Sequence, residues 1–211
     1  MNPESPQLYI SVDAGPTAPA RLAAVLGSAR DVAAVLIRPG AVKLDAAQAQ
    51  PLVEMAQKAN VAAIIEDDAS LARTLRADGV HLSWSPALHA RFDEAREILG
   101  NRFMIGAGIA PDAPAGRHDA MAIAEAGADY IGFAAGEGQS DLVAWWAEIF
   151  EVPCVAFDVA SPQIASVLAG ARPEFISIAL PTGAAPADCV AHVTAIVAAI
   201  GDANVMNVGA D

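Results

Sequence analysis

Eight times in 211 residues, a short apolar run of strand length gives way to an Ala-rich stretch of helix length, with turn residues between the units. The strand candidates are Leu8 to Val12, Val32 to Ile37, Ala62 to Ile65, Gly79 to Leu82, Phe103 to Ala107, Tyr130 to Phe133, Cys154 to Phe157 and Phe175 to Ile178. Helix candidates follow them at Ala18 to Ser28, Ala46 to Ala59, Ala69 to Arg76, Leu88 to Leu99, Arg117 to Ala126, Asp141 to Phe150, Ile164 to Ala169 and Ala187 to Ile200. Alternation of this kind is the pattern of repeated βα units around a parallel sheet. Eight units in so short a chain predict an α/β protein, a single (β/α)8 TIM barrel near the lower size limit of that fold. An open doubly wound sheet is the competitor. The first strand runs into Val12-Asp13-Ala14-Gly15-Pro16, however, which holds no GxGxxG and ends in proline.

The punctuation agrees. Gly27, Gly100, Gly127 and Gly170 stand where helices should stop, and Asp45, Asp68, Ser85 and Ser140 where they should be N-capped. One domain is expected over residues 1–211, with 1–7 and 203–211 as flexible tails. A composition 55% hydrophobic supplies one large core, and no segment holds the uninterrupted apolar run of roughly 18 to 20 residues that a membrane span requires. A soluble protein is expected. The start of the chain, with an acid and two prolines but no basic and apolar regions in series, does not read as a secretory signal, which predicts a cytoplasmic location. Cys154 and Cys189 lie outside any CxxC or paired-His spacing and read as core thiols.

The net charge is −13, and Lys43 and Lys58 are the only lysines. Long-range repulsion argues against nucleic acid or an anionic membrane as a partner, and leaves room for a homo-oligomer and a small-molecule ligand.

Ile64-Ile65-Glu66-Asp67-Asp68-Ala69-Ser70-Leu71-Ala72, followed by Ala77-Asp78-Gly79-Val80-His81-Leu82, resembles the central signature of the thiamine phosphate synthase and thiazole tautomerase superfamily. Further matches keep the order of that family: Leu8-Tyr9-Ile10, Arg96 to Gly100, Ile105-Gly106 and Gly127-Ala128-Asp129-Tyr130-Ile131-Gly132. The resemblance implies a barrel of thiamine biosynthesis that joins a hydroxymethylpyrimidine pyrophosphate to a thiazole phosphate, with Mg²⁺ helping the pyrophosphate to leave. By that resemblance Asp67, with Glu66 beside it, is the metal position, and Arg38 and Asp67 are the catalytic candidates. The substrate-binding candidates are Tyr9, Arg38, Lys43, His81, Trp84, Gly108, Phe133, Ser177, Thr182 and Gly183.

Several positions depart from the family pattern. Leu82-Ser83-Trp84-Ser85-Pro86 lacks the second metal carboxylate, and Arg38-Pro39-Gly40 lacks the phosphate lysine, for which Lys43 is the candidate substitute. Gly108 stands in place of a serine, Phe133 to Asp141 replaces a Thr- and Lys-containing loop, and Phe157-Asp158-Val159 replaces a Gly-Gly turn. Pyrophosphate chemistry leans on cations, and losing several such contacts at about 2 to 4 kcal/mol apiece lowers a rate by orders of magnitude. Three readings stay open: an active synthase, a non-catalytic ligand-binding or regulatory relative whose pocket is lined by Tyr9, Trp84 and Phe133, and a barrel of altered chemistry such as the thiazole tautomerase branch. The last finds no well-placed histidine after the fifth strand to support it. Trp145 and Trp146 read as shell packing or a subunit contact, and His89, His118 and His192 are assigned no chemistry.

Overall fold

The computed structural model describes residues 5–113 and 116–208, with side chains described as far as Ala203. Its eight strands are β1 (Gln7–Asp13), β2 (Val32–Arg38), β3 (Ala62–Glu66), β4 (Gly79–Leu82), β5 (Met104–Ile109), β6 (Tyr130–Phe133), β7 (Cys154–Ala156) and β8 (Phe175–Ala179). Each pairs in parallel with the next, and β8 pairs with β1, so the sheet closes into a barrel. The helices are α1 (Ala18–Ser28), α2 (Ala46–Lys58), α3 (Ala69–Leu75), α4 (Leu88–Leu99), α5 (Gly116–Glu125), α6 (Gln139–Ile149), α7 (Pro162–Gly170) and α8 (Pro186–Val208), and they form the outer ring. The expected TIM barrel is therefore present.

Two expectations about the ends change. Gln7 already belongs to β1, and α8 continues through Ala203 to Val208, whereas residues 1–4 and 209–211 of the expected tails lie outside the described residues. Within α8, Pro186–Ala203 is long and apolar enough to cross a membrane by length and composition, with a mean hydropathy of 1.2. It carries Asp188 and Asp202, and it packs against α1 and α7 as the last helix of the ring.

Asp45 and Asp68 cap α2 and α3 as predicted, each carboxylate accepting a backbone N–H three residues on. Ser85 and Ser140 do not cap. Their helices begin after Ala87 and Gly138, while Ser161 performs that service for α7. Gly100 and Gly127 end their helices with positive φ, but Gly27 and Gly170 remain helical.

Side-chain direction alternates along a strand, so one parity of each strand fills the barrel and the other faces the helices. The outward set joins the large apolar layer beneath the helices, with Ile10, Ile37, Ile65, Ile105, Ile131 and Phe133 among its fully buried members. The inward set is smaller and aromatic: Tyr9, Leu36, Ile64, Tyr130, Val155 and Phe157 pack together within the lumen. Glycines make room for these rings. A Cβ added at Gly106 would lie 2.0 Å from the Tyr130 ring, and one at Gly132 would lie 2.4 Å from that of Phe157.

Gly106→Ala is therefore expected to lower stability by about 3 kcal/mol, because a ring held on both sides cannot yield to the added methyl. Gly27→Ala is the control: its Cβ would meet nothing within 4 Å, and in a helix it should add about 0.5 to 1 kcal/mol. Equilibrium urea denaturation of both variants checks the pair, and an unchanged midpoint for Gly106→Ala would refute the lumen-packing account.

Candidate functional site

Where the strands end, inward parity delivers polar side chains to a common mouth. Leu36, Arg38, Glu66, His81, Ser83, Trp84, Gly108, Gly132, Ala134, Phe157 and Asp158 line a cavity of about 90 Å³ there. Among the sequence candidates, Arg38, Glu66, His81, Trp84 and Gly108 thus meet in one place. The others are distributed elsewhere, for reasons that can be traced.

Arg38 is the only cation lining this cavity among the described residues, and two carboxylates already pair with it. Its Nε donates to Asp13 Oδ1 at 3.1 Å and its Nη1 to Asp158 Oδ1 at 2.9 Å. Asp13 Oδ2 in turn accepts from the Thr182 hydroxyl at 2.6 Å, which fastens the end of β8 to the same cluster. Burial acts to lower the Arg38 pKa, but Asp158, Asp13 and Glu66 outweigh it and hold the guanidinium above its ordinary range. Asp158 occupies left-handed backbone, with φ of 55°, a conformation that glycine adopts without strain. Asp13 is not among the site candidates of the sequence, although its place at the C-terminal end of the first strand is the signal that could have found it.

Glu66 and Asp67 are adjacent in sequence but serve different cavities. Glu66 continues the inward parity of β3 into the mouth, where the Ser83 hydroxyl donates to it at 3.3 Å. Asp67 has φ of 58° and turns aside, to a second cleft of about 270 Å³ between α3 and α4. There its Oδ1 accepts from the Ser83 backbone N–H at 2.8 Å and from the Arg91 guanidinium. No cluster of three or more His, Cys, Asp or Glu side chains able to hold a metal occurs among the described residues. Two carboxylates that face different cavities, one of them already ion-paired, do not fit the converging oxygen ligands that Mg²⁺ requires. Arg91 could not be found from sequence, because only the packing of α4 beside the β3 loop brings it to Asp67.

His81 is 4% exposed, and its Nδ1 lies 3.1 Å from the Tyr130 hydroxyl, which lies 2.9 Å from that of Tyr9. Burial pushes the His81 pKa down to about 4, against the upward pull of Asp67, and burial also raises both phenols. Tyr9 is therefore not a wall of the mouth. It lines a separate apolar cavity of about 220 Å³ toward the opposite end of the barrel and reaches the mouth only through Tyr130 and His81.

The remaining candidates divide as follows. Phe133 must be corrected: it faces out of the barrel, fully buried, with its ring edge-on to Trp146 of α6, because Tyr130 and Gly132 hold the inward parity of β6. Trp146 donates from its ring N–H to Val152 O, so the tryptophan pair is shell packing. Ser177 is fully buried and bonded to Ser11 within the barrel at 2.9 Å. Lys43 is exposed on the loop before α2 and does not line the mouth. Gly183 has φ of 75° in the turn after β8, beside the exposed Thr182. At Gly108 an added Cβ would sit 3.1 Å from His81 Nε2 and 3.2 Å from Leu82 O, so a larger residue there would press on the histidine.

A closed parallel barrel with its polar side chains gathered at one mouth defines a TIM-barrel protein whose candidate site lies at the C-terminal ends of its strands. Residues 29–196 match the family model described as thiamine monophosphate synthase, and the chain belongs to that family. It is 35% identical over 142 residues to a thiamine-phosphate synthase of Erythrobacter litoralis, covering 62% of this chain and 63% of that one. A thiamine-phosphate synthase of Hyphomonas neptunium is 35% identical over 167 residues, 72% of each chain. The chain thus spans roughly two thirds of the length of these relatives. Among solved structures, a thiamine phosphate pyrophosphorylase from Pyrococcus furiosus superposes with a TM-score of 0.72 at 19% identity, over 93% of this chain and 96% of that one. The fold alone is not distinctive, since GGGPS from Thermoplasma volcanium superposes with a TM-score of 0.66 at 15% identity over 93% of each chain.

Burial raises the Glu66 pKa to about 7, beyond the lowering by Arg38. Below about pH 4.5 the carboxyl is protonated in both the folded and unfolded chain; as pH rises from there to about 7, the unfolded chain ionises first. The native protein should therefore lose stability across that window relative to Glu66→Gln, and the difference should level off above it. Thermal unfolding of both proteins across the pH range measures this, and parallel curves would contradict it.

Proposed function

We propose that this member of the thiamine monophosphate synthase family binds an uncharged, thiamine-related ring at the barrel mouth and does not join pyrimidine to thiazole. The observation that carries the reading is the pairing of Arg38, the one cation of the cavity wall among the described residues, with both Asp13 and Asp158. A pyrophosphate entering the mouth would meet Asp158 and Glu66 in the cavity wall, and the one cation there, Arg38, already carries two carboxylate partners. Transition-state charge in phosphoryl and pyrophosphoryl chemistry is stabilised by metal ions and cations placed beforehand. Here the metal position does not fit Mg²⁺, so no step is assigned to it. The cavity suits a single small ring better: Leu36, Trp84 and Phe157 supply apolar walls, while His81, Ser83 and the carboxyl of Glu66 supply polar edges.

The relatives named as thiamine-phosphate synthases support an active enzyme as the second reading. A coupling assay with purified protein, Mg²⁺, hydroxymethylpyrimidine pyrophosphate and thiazole phosphate separates the two. The expected result is no thiamine phosphate above a protein-free control. Turnover that disappears in Asp67→Ala would overturn the proposal. Asp158→Gly tests the physical cause, since glycine accepts the left-handed backbone and releases one arm of Arg38. That variant should stay folded and bind inorganic pyrophosphate at least tenfold more tightly by calorimetry, a gain of about 1.4 kcal/mol from one charge-assisted contact.

A further inference from the structure

We propose that Tyr9 and Tyr130 lock His81 as the neutral imidazole with its proton on Nε2, so that the mouth selects a flat, uncharged heterocycle by a hydrogen-bond acceptor placed opposite that N–H. The inference rests on the reading that the mouth binds an uncharged ring, and adds how the ring is recognised.

The assignment follows from counting protons in a buried chain of three side chains. Two hydroxyl protons and one ring proton must be placed among Tyr9, Tyr130 and His81, and the only bonds linking them are Tyr9 to Tyr130 and Tyr130 to His81 Nδ1. If Tyr9 donates to Tyr130 and Tyr130 donates to Nδ1, both hydroxyl protons are used and the imidazole proton falls on Nε2. If the direction is reversed, Nδ1 donates to Tyr130, Tyr130 donates to Tyr9, and the Tyr9 proton has no partner in a side chain that is 3% exposed. An idle buried donor costs about 1 to 3 kcal/mol, whereas an idle hydroxyl lone pair costs less, so the first direction prevails.

Nε2 has no protein partner, yet Arg21 Nε is the only fully buried side-chain nitrogen or oxygen without one among the described residues. Nε2 therefore opens onto space, and the cavity it reaches is the mouth, which His81 lines. The nearby glycines keep that opening clear. A Cβ at Gly108 would come within 3.1 Å of Nε2, and one at Gly132 within 3.0 Å of the adjoining ring carbon. Both tyrosines are positioning residues, since they act on a ligand only through the imidazole.

Nitrogen-15 spectra of the full chain labelled at histidine test the lock directly, with the His81 signals identified by their loss in His81→Phe. The expected pattern is pyrrole-type nitrogen at Nε2 and pyridine-type at Nδ1, unchanged from mildly acidic to mildly alkaline pH. In Tyr130→Phe, shown folded by circular dichroism, the pattern should become a mixture of both tautomers. A proton on Nδ1, a mixture in the native protein, or an unchanged pattern in Tyr130→Phe would overturn the lock. For recognition, unphosphorylated hydroxymethylpyrimidine is titrated calorimetrically. His81→Phe should weaken its binding roughly tenfold or more, the worth of one hydrogen bond to a desolvated donor. Equal affinity for native and variant protein, or no binding by the native protein, would overturn the ligand assignment. Turnover in the coupling assay would sink the proposed function while leaving the tautomer unchanged, so the two failures are distinguishable.

Discussion

Closing eight strands into a barrel creates an interior that must be filled by alternate residues of each strand, and most of the molecule follows from how this chain fills it. The lumen is narrow, and it is filled by a few large rings set against glycines rather than by even layers of branched residues. Tyr130 lies across Gly106 and Phe157 lies across Gly132, so the rings of one strand occupy the space that the neighbouring strand leaves empty. His81 stacks into the same assembly, its ring 4.6 Å from that of Phe157. Packing of the lumen and orientation of the mouth are one arrangement, which is why the site can be rigid although it sits beneath loops.

Above that packed layer the mouth is organised by charge. Two arginines at this end of the barrel are each met by a carboxylate in left-handed backbone: Arg38 in the mouth by Asp158, and Arg91 in the neighbouring cleft by Asp67. Such backbone is uncommon outside glycine and carries a modest cost, which the ion pairs and their hydrogen bonds offset. Arg38 also ties β1, β2 and the loop after β7 together, and Thr182 brings in the end of β8 through Asp13. The charge that a phosphate would have met is thereby spent on holding the loops.

The fold was legible because βα periodicity is a local signal. β4, β6, α1 and α4 begin and end where the apolar runs place them, and the other elements differ by a few residues at their ends. The largest difference is in α8, which runs to Val208 rather than Ile200, while pairing with Phe175 of β8 adds the single residue Gln7 to β1. The site was legible only in part. Arg38, Glu66, His81, Trp84 and Gly108 meet at the mouth because each stands at a strand end or just beyond one. Phe133 was misplaced because parity was not counted from Tyr130 and Gly132. The pairing of Asp67 with Arg91, and of Arg38 with Asp13, depends on contacts between distant segments that no spacing in the sequence reveals.

The backbone of Asp158 has a consequence for how this mouth can change. Aspartate and glycine codons differ by a single base, and the loop after β7 already holds the shape that glycine would take. One mutational step therefore removes one of the carboxylates that neutralise Arg38, with no intermediate that must refold, while Asp13 stays paired with it. The charge balance at this mouth can thus drift more readily than the architecture that holds it.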